Sequence, residues 1–387
     1  MHVVIELFRA FGFFFLNPIL YITIVVTVIL GYLRVKRERR YFHIRILNGR
    51  TELHDLVRFP LIYSLILSIF SVVVGLVLPS SLFIISVFVI IISYATFVFH
   101  LLSPIITLTI SYSVLIIMHY FELTFELWGF TIEGIAFTSE ASVIVAILAG
   151  FLLMVESDLI CEKGVKYASP IRRKTPRGME IISYLTKNIT LLPIVFVIPG
   201  DAIPAYIPWW PQFTLGETQF SLIAFPIVIG FQQMTKRTLP VYFYAMYSKR
   251  VAILGVVTIV GGAIAFFEPI IGIVTLCVAT IIRLALIIYN YLNEKTDAYA
   301  VTPTKKGVMI AAVLPNSPAE KMGLVVGEII QKVNGESIFT EEELYQALQI
   351  NAAHCRLEVL DHRQEIRLTQ YVVHQNDHYQ IGLLIAK

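Results

Sequence analysis

The chain has 387 residues, of which 57% carry apolar side chains and 15% are charged, with a mean hydropathy of +0.76. An ordinary soluble domain carries about 25% charged residues, so the composition excludes one. The 63 residues from Phe59 to Phe121 hold no Asp, Glu, Lys or Arg, a length that suits three bilayer crossings at about 20 residues each. The net charge of +3 conceals two regions of opposite sign: residues 294–387 carry nine basic and twelve acidic side chains, leaving 21 basic against 15 acidic before them.

Breaking the apolar runs at charged or proline-rich points predicts an α-helical polytopic membrane bundle of about eight to nine transmembrane helices within residues 1–293. The expected spans are 11–33, 59–78, 81–100, 103–120, 141–159, 185–203, 219–233, 251–268 and 270–292. Two places resist a simple helix. Asn17-Pro18 bends the first run, and the prolines at 193, 199, 204, 208 and 211 interrupt the sixth. The apolar run after Met1–Ala10 is long enough to read as a retained anchor, not a cleaved signal.

The loops between these runs divide by sign. Residues 34–58 hold eight Lys/Arg, opening with Arg34, Lys36, Arg37, Arg39 and Arg40; residues 161–187 hold seven and residues 236–250 four. The alternate loops carry Glu122, Glu126, Glu133, Glu140, Asp201, Glu217 and Glu268, with no basic residue. Positive-inside counting places the basic set, and the C-terminal region after it, in the cytoplasm. The basic segment at Arg34–Arg40 is expected at the membrane surface, where it suits an anionic leaflet as well as topology. Tyr206, Trp209 and Trp210 read as an outer interfacial belt, and Tyr242, Tyr244 and Tyr247 as an inner one.

From about Tyr299 the chain reads as a small α+β domain, 299–387. A strand is expected at Val308–Val313, then a turn at Pro315–Ala319 opening a short helix closed by Gly323, a strand at Ile329–Val333 and a hairpin turn at Asn334-Gly335. Thr340 with Glu343 three residues on forms a capping box, and Leu344, Ala347 and Leu348 make the apolar face of the helix that follows. Strands are expected at 355–361 and 363–373, and a last one at 380–385.

The stretch from Gly307 to Gly335, with Ser317-Pro318-Ala319, Gly323, Gly327 and Asn334-Gly335 at their spacings, resembles the core of PDZ domains. The resemblance implies peptide capture by strand addition. In the permuted bacterial form the groove strand comes last, so Tyr379, Gln380, Ile381, Gly382, Leu383 and Leu384 would supply that strand and its carboxylate loop. Leu344 and Leu348, with Tyr345 beside them, would form the opposing wall. Leu344, Leu348 and Leu383 equally suit the core of so small a domain.

A PDZ domain beside membrane helices raises the prospect of a protease, but no catalytic signature is expected. His-Glu-x-x-His is absent, as are a Gly-x-Ser-x-Gly elbow and phosphate- or dinucleotide-binding loops. His374 and His378 around Asp377 read as a polar turn. Cys161, Cys277 and Cys355 fit no metal-ligand spacing. No metal, cofactor or nucleic-acid partner is expected. Glu156, Asp158, Glu268 and Arg283 lie within or near the ends of spans, and Arg283 would snorkel or pair within the bundle.

A first span leading into Gly31-Tyr32-Leu33-Arg34-Val35-Lys36-Arg37-Glu38-Arg39-Arg40, several further spans and a terminal PDZ domain resemble the MinJ family of cell division topological determinants. That resemblance implies a membrane scaffold at poles and septa that bridges the coiled-coil protein DivIVA and the division inhibitor pair MinC and MinD. The cytoplasmic contacts would run through the groove and the basic loops 34–58 and 161–187. A PDZ-regulated transporter and an unrecognised intramembrane protease are the alternative readings.

Overall fold

The computed structural model describes residues 2–127, 130–137, 140–175, 178–204, 210–211, 215, 219–295, 298–350, 354–372 and 381–386. The chain opens with helix α1 (His2–Leu16) and turns at Asn17 into α2 (Pro18–Phe42). Asn17 sits in extended backbone, its side chain accepts the Ile19 N–H, and Pro18 occupies the first helical turn. The expected first span is therefore two helices.

A short α3 (Thr51–Asp55) leads to α4 (Leu61–Val74), α5 (Ser80–Ala95), a 3₁₀ turn at Phe99–Leu102 and α6 (Pro104–Tyr120). The small hairpin β1 (Phe125–Leu127) and β2 (Phe130–Ile132) precedes α7 (Ala141–Lys166). Next come β3 (Ser169–Lys174), β4 (Glu180–Pro204) and β5 (Gln219–Thr235), then α8 (Pro240–Ile264) and α9 (Pro269–Asn293). Four helices, α2, α7, α8 and α9, are long and apolar enough to cross a membrane; α4, α5 and α6 are shorter and equally apolar.

The expected spans 185–203 and 219–233 are not helices. They form the two arms of a long antiparallel hairpin, β4–β5, with Tyr184 opposite Thr235 and Pro193 opposite Pro226. The residues explain the change. Both arms are rich in β-branched Ile, Val and Thr, and each carries a proline in its middle that would break a helix. Backbone other than helix survives at membrane depth only where protein satisfies it. The outer edge of β4 meets that condition: Leu191 N–H donates to Leu56 O at 3.1 Å and Val195 N–H to Ser68 Oγ at 2.9 Å, while Val197 O accepts Leu78 N–H at 2.9 Å. Between them stands Pro193, which has no N–H to satisfy.

One fully buried ion pair links α7 and α9. Arg283 of α9 and Glu156 of α7 are both fully buried, 2.5 Å apart. Glu156 also accepts from Ser103 Oγ at 2.6 Å, and Arg283 donates to Tyr247 OH at 2.6 Å. Tyr247 and Tyr244 are interior residues, not an interfacial belt, because α8 turns them toward α7 and α9; only Tyr242 is exposed. Of the expected outer belt, Tyr206 and Trp209 lie outside the described residues, as does Glu217. Trp210 donates to Val72 O at 2.7 Å and is half-buried. Gly150 and Gly255 let α7 and α8 touch: a Cβ on Gly255 would stand 3.1 Å from Gly150 O.

Removing one member of a buried ion pair strands the other charge. Glu156→Gln is expected to destabilise the bundle by about 3–5 kcal/mol, whereas the double variant Glu156→Leu/Arg283→Met recovers most of that loss. Thermal unfolding in detergent of both variants measures the difference.

Candidate peptide groove and its platform

The C-terminal region begins with β6 (Val308–Val313), followed by α10 (Pro318–Lys321), β7 (Ile329–Val333), β8 (Glu336–Ser337), α11 (Glu341–Ile350), β9 (His354–Leu360), β10 (Ile366–Val372) and β11 (Leu383–Ile385). The sheet order is β10-β9-β7-β6-β11, all antiparallel, with β8 paired to β7. Asn334 and Gly335 both have positive φ, as a tight hairpin between β7 and β8 requires. The Thr340–Glu343 capping box forms in both directions at 3.2 Å.

Of the residues expected to form the groove, Leu344, Leu348, Ile381, Gly382 and Leu383 are described, and the last strand is Leu383–Ile385, shorter than the expected 380–385. β11 is the edge strand of the sheet, paired on one side to β6. Leu383 and Ile385 point into the domain core with Ile310, Val333 and Leu357. Leu344 is 1% exposed and belongs to that core, whereas Leu348 is half-buried at its margin. Tyr379, Gln380 and the His374–His378 turn lie outside the described residues.

At the start of β11 the chain makes a sharp turn. Gly382 has φ +86°, and a Cβ there would lie 2.3 Å from Ser317 Cβ, so only glycine fits. The carbonyls of Ile381 and Gly382 are engaged by Ala319 N–H at 3.0 Å and Leu314 N–H at 2.9 Å. The amides of the same two residues donate to nothing among the described residues. A pair of adjacent amides at a glycine turn is the kind of donor pair that a carboxylate loop uses.

No cluster of three or more His, Cys, Asp or Glu that could hold a metal occurs among the described residues. The three cysteines are free thiols, and burial pushes Cys355 up to about 12, away from a reactive thiolate.

The outer face of this sheet is also covered, which the sequence reading missed. Leu384, Ala311 and Ala312 form one apolar cluster with Phe42 of α2, Ile182 and Tyr184 of β4, and Val301. Tyr184 OH donates to Ala311 O at 2.8 Å in a buried contact. Val301 joins the β3–β4 sheet, its carbonyl accepting Ile182 N–H at 3.1 Å. His362 bridges Tyr242 OH and Val326 O, each at 3.0 Å. A signal was available: the run Val308–Val313 is apolar on both of its faces, the mark of a strand covered twice.

The basic segment separates into parts. Arg34 is buried and spoken for by Glu38 at 2.8 Å, Glu52 at 2.5 Å and Asn48 O at 2.9 Å. Arg37 is half-buried, and Lys36, Arg39 and Arg40 are exposed. Nearby, Asp55 accepts from Tyr167 OH at 2.7 Å and from Lys166 Nζ, tying α3 to the end of α7. Burial alone would raise the Asp55 carboxyl, but the hydrogen bonds from Lys166, Tyr167 and His54 outweigh it and hold it below its ordinary value.

These features define a class: a membrane protein carrying a C-terminal PDZ domain. The PDZ family model matches residues 309–360. The cell division topological determinant MinJ of Bacillus subtilis is 30% identical over 386 residues, 99% of this chain and 96% of that one. The chain belongs to the MinJ family. A probable MinJ of Lacticaseibacillus paracasei is 22% identical over 62% of this chain and 65% of its own. A solved PDZ domain of an SdrC-like protein from Listeria monocytogenes matches at 17% identity and a TM-score of 0.19, covering 22% of this chain and 93% of that one.

Two outcomes test the platform. Tyr184→Phe strands the buried Ala311 carbonyl, at a cost of about 1–3 kcal/mol, and should speed proteolysis between residues 294 and 308 without unfolding the PDZ core. The Asp55 tie has a depressed carboxyl in the folded state, so its contribution is complete above about pH 4–5 and disappears as pH falls through the folded value. The thermal difference between the wild-type chain and Asp55→Asn should therefore be present at pH 7 and close at acidic pH.

Proposed function

We propose that the chain is a membrane adaptor whose PDZ groove captures an extended segment of a partner protein, with the segment's carboxylate at the Ile381–Gly382 amides. The observation that carries this reading is the place of β11 at the end of the described sheet, entered through the Gly382 turn. Main-chain pairing along that edge supplies affinity, and the half-buried Leu348 margin supplies an apolar contact for the last side chains. Tyr379 would extend the same strand. Membership of the MinJ family supports a place for this adaptor in division-site selection.

The finer assignments rest on charge and on the family. Residues 1–293 form the membrane region and 299–387 the PDZ domain. Positive-inside sorting puts the basic loops, and the PDZ domain packed against them, in the cytoplasm. Exposed Lys36, Arg39 and Arg40 then meet the anionic leaflet, while Arg34 serves the loop that holds them. The partners are the bilayer, a DivIVA-like protein and a MinD-like protein, and the sites of action are the poles and the division septum. The buried pairing of Arg283 with Glu156 favours a structural use of the intramembrane charges over a transport path.

Leu348→Glu is the test. It places a charge at the groove margin without entering the core, whereas Gly382→Trp would also collide with Ser317 and report on folding. In a rod-shaped Gram-positive cell, the variant should insert normally yet lose septal and polar recruitment and at least tenfold in binding to its MinD-like or DivIVA-like partner. Undiminished binding and localisation would refute capture through the groove.

A further inference from the structure

We propose that Arg37 and Lys187 together bind the phosphate of one anionic phospholipid at the basic end of the bundle. The two side chains come from different elements, Arg37 from near the end of α2 and Lys187 from β4 just past the platform residues Ile182 and Tyr184. Both are half-buried. Neither makes a hydrogen bond or an ion pair among the described residues, and Arg37 Nε is enclosed without an acceptor.

Charge is out of balance at this spot. Other cations packed against α3 and β4 are answered: Arg34 by Glu38 and Glu52, Lys166 by Asp55, and Lys163 by the Asp55 carbonyl and the Thr190 hydroxyl. Glu38, next to Arg37 in sequence, is used up, with one oxygen on Arg34 and the other on the Ile46 N–H. Lys187 stands close enough to Arg37 to be repelled by it. Its Nζ lies 5.5 Å from the centre of the Phe99 ring, a contact that favours a cation but does not neutralise it. Two unpaired cations held together at partial burial cost free energy, and an anion between them reverses the sign. Arg37 offers a planar fork to two phosphate oxygens and Lys187 a point charge to a third. Gln232 stands opposite Lys187 in the β4–β5 register, its Oε1 also enclosed and without a donor; with the amide turned over, its N–H would complete the set.

A place for the tail separates a lipid from a free anion. At four-residue steps from Arg37 toward the start of α2 stand Leu33, Ile29 and Val25, on the helix face that Arg37 shares. They are 48%, 45% and 57% exposed. Together they make an apolar track of about 18 Å that ends at the guanidinium. Inorganic phosphate would use the cations alone, whereas a phospholipid uses cations and track. The proposal rests on the reading that the basic end meets an anionic leaflet, and it adds one fixed site apart from the exposed Lys36, Arg39 and Arg40.

Native mass spectrometry of the full-length protein in mild nonionic detergent tests this, with phosphatidylglycerol, phosphatidylcholine or inorganic phosphate added. The expected result is one firmly held phosphatidylglycerol per chain, phosphatidylcholine held more weakly, and no displacement by inorganic phosphate. Arg37→Gln and Lys187→Gln should each cut phosphatidylglycerol retention by about fivefold or more, and Lys249→Gln, an exposed cation of α8, should not. Because neither side chain has a partner in the protein, both variants should unfold in lipid-free detergent at or above the wild-type midpoint. Phosphatidylglycerol should raise the midpoint of the wild-type chain alone. Equal retention in either variant, displacement of the lipid by inorganic phosphate, or a lowered lipid-free midpoint would overturn the proposal. Loss of lipid in Lys36→Gln/Arg39→Gln/Arg40→Gln with full retention in Arg37→Gln would sink this site and leave the leaflet reading standing. No preference for phosphatidylglycerol in any chain would remove both.

Discussion

A strand in an apolar medium must give its outward amides to protein, because no water is there to take them. That constraint organises the membrane region around the β4–β5 hairpin. The Leu56 carbonyl, the Ser68 hydroxyl and the Leu78 amide are spaced along the outer edge of β4 and supply what a neighbouring strand would have supplied. This is why α3 and α4 lie where they do, and why α4 is followed by the extended segment Leu76–Leu78 instead of a longer helix. The Asn17-Pro18 break serves the same end, since it folds α1 back as a separate helix whose Ala10 and Phe14 join the core around the hairpin.

The base of the hairpin then becomes a platform. Its first residues, Glu180–Leu185, pair with β3 and carry Ile182 and Tyr184 at the basic end of the bundle. There the PDZ sheet settles, with Leu384 on the platform and Leu383 and Ile385 in its own core. One three-residue strand thus has a face inward, a face on the bundle and, among the described residues, one edge without a partner strand. Burial of both faces fixes the strand, so under the proposed capture no entropic cost of ordering it would fall at that moment.

Much of this was legible in the residues, and the exceptions have a physical cause. The PDZ core could be read because its turns depend on glycines and Asn334-Gly335, whose conformational demands leave marks at fixed spacing. Helices α6, α7 and α9 followed from unbroken apolar runs. The hairpin did not, because hydropathy reports that a segment is buried in apolar surroundings and is indifferent to whether it is helix or strand. Pro193 and Pro226 were the available clue, since two segments each with a mid-run proline suit opposed strands better than helices. Arg34 was assigned to the surface with its neighbours because charge in a loop is ordinarily solvated; Glu38 and Glu52 claim it only once α2 and α3 are folded together. Leu348 and Leu344 could not be separated by periodicity, since one helical turn distinguishes margin from core.

The connection between α9 and β6 has a consequence of its own. Asn293 and Val308 are separated by 14 residues, 294–307, yet Val301 is stitched into the β3–β4 sheet, and Ala300 N–H donates to Lys236 O at 2.8 Å. A PDZ module on a loose tether would sweep a hemisphere and accept a ligand from any bearing. This one is a bracket: Tyr184 and Val301 hold the PDZ sheet to the hairpin. Under the proposed capture, a segment paired with β11 would be oriented by the bundle as well as held.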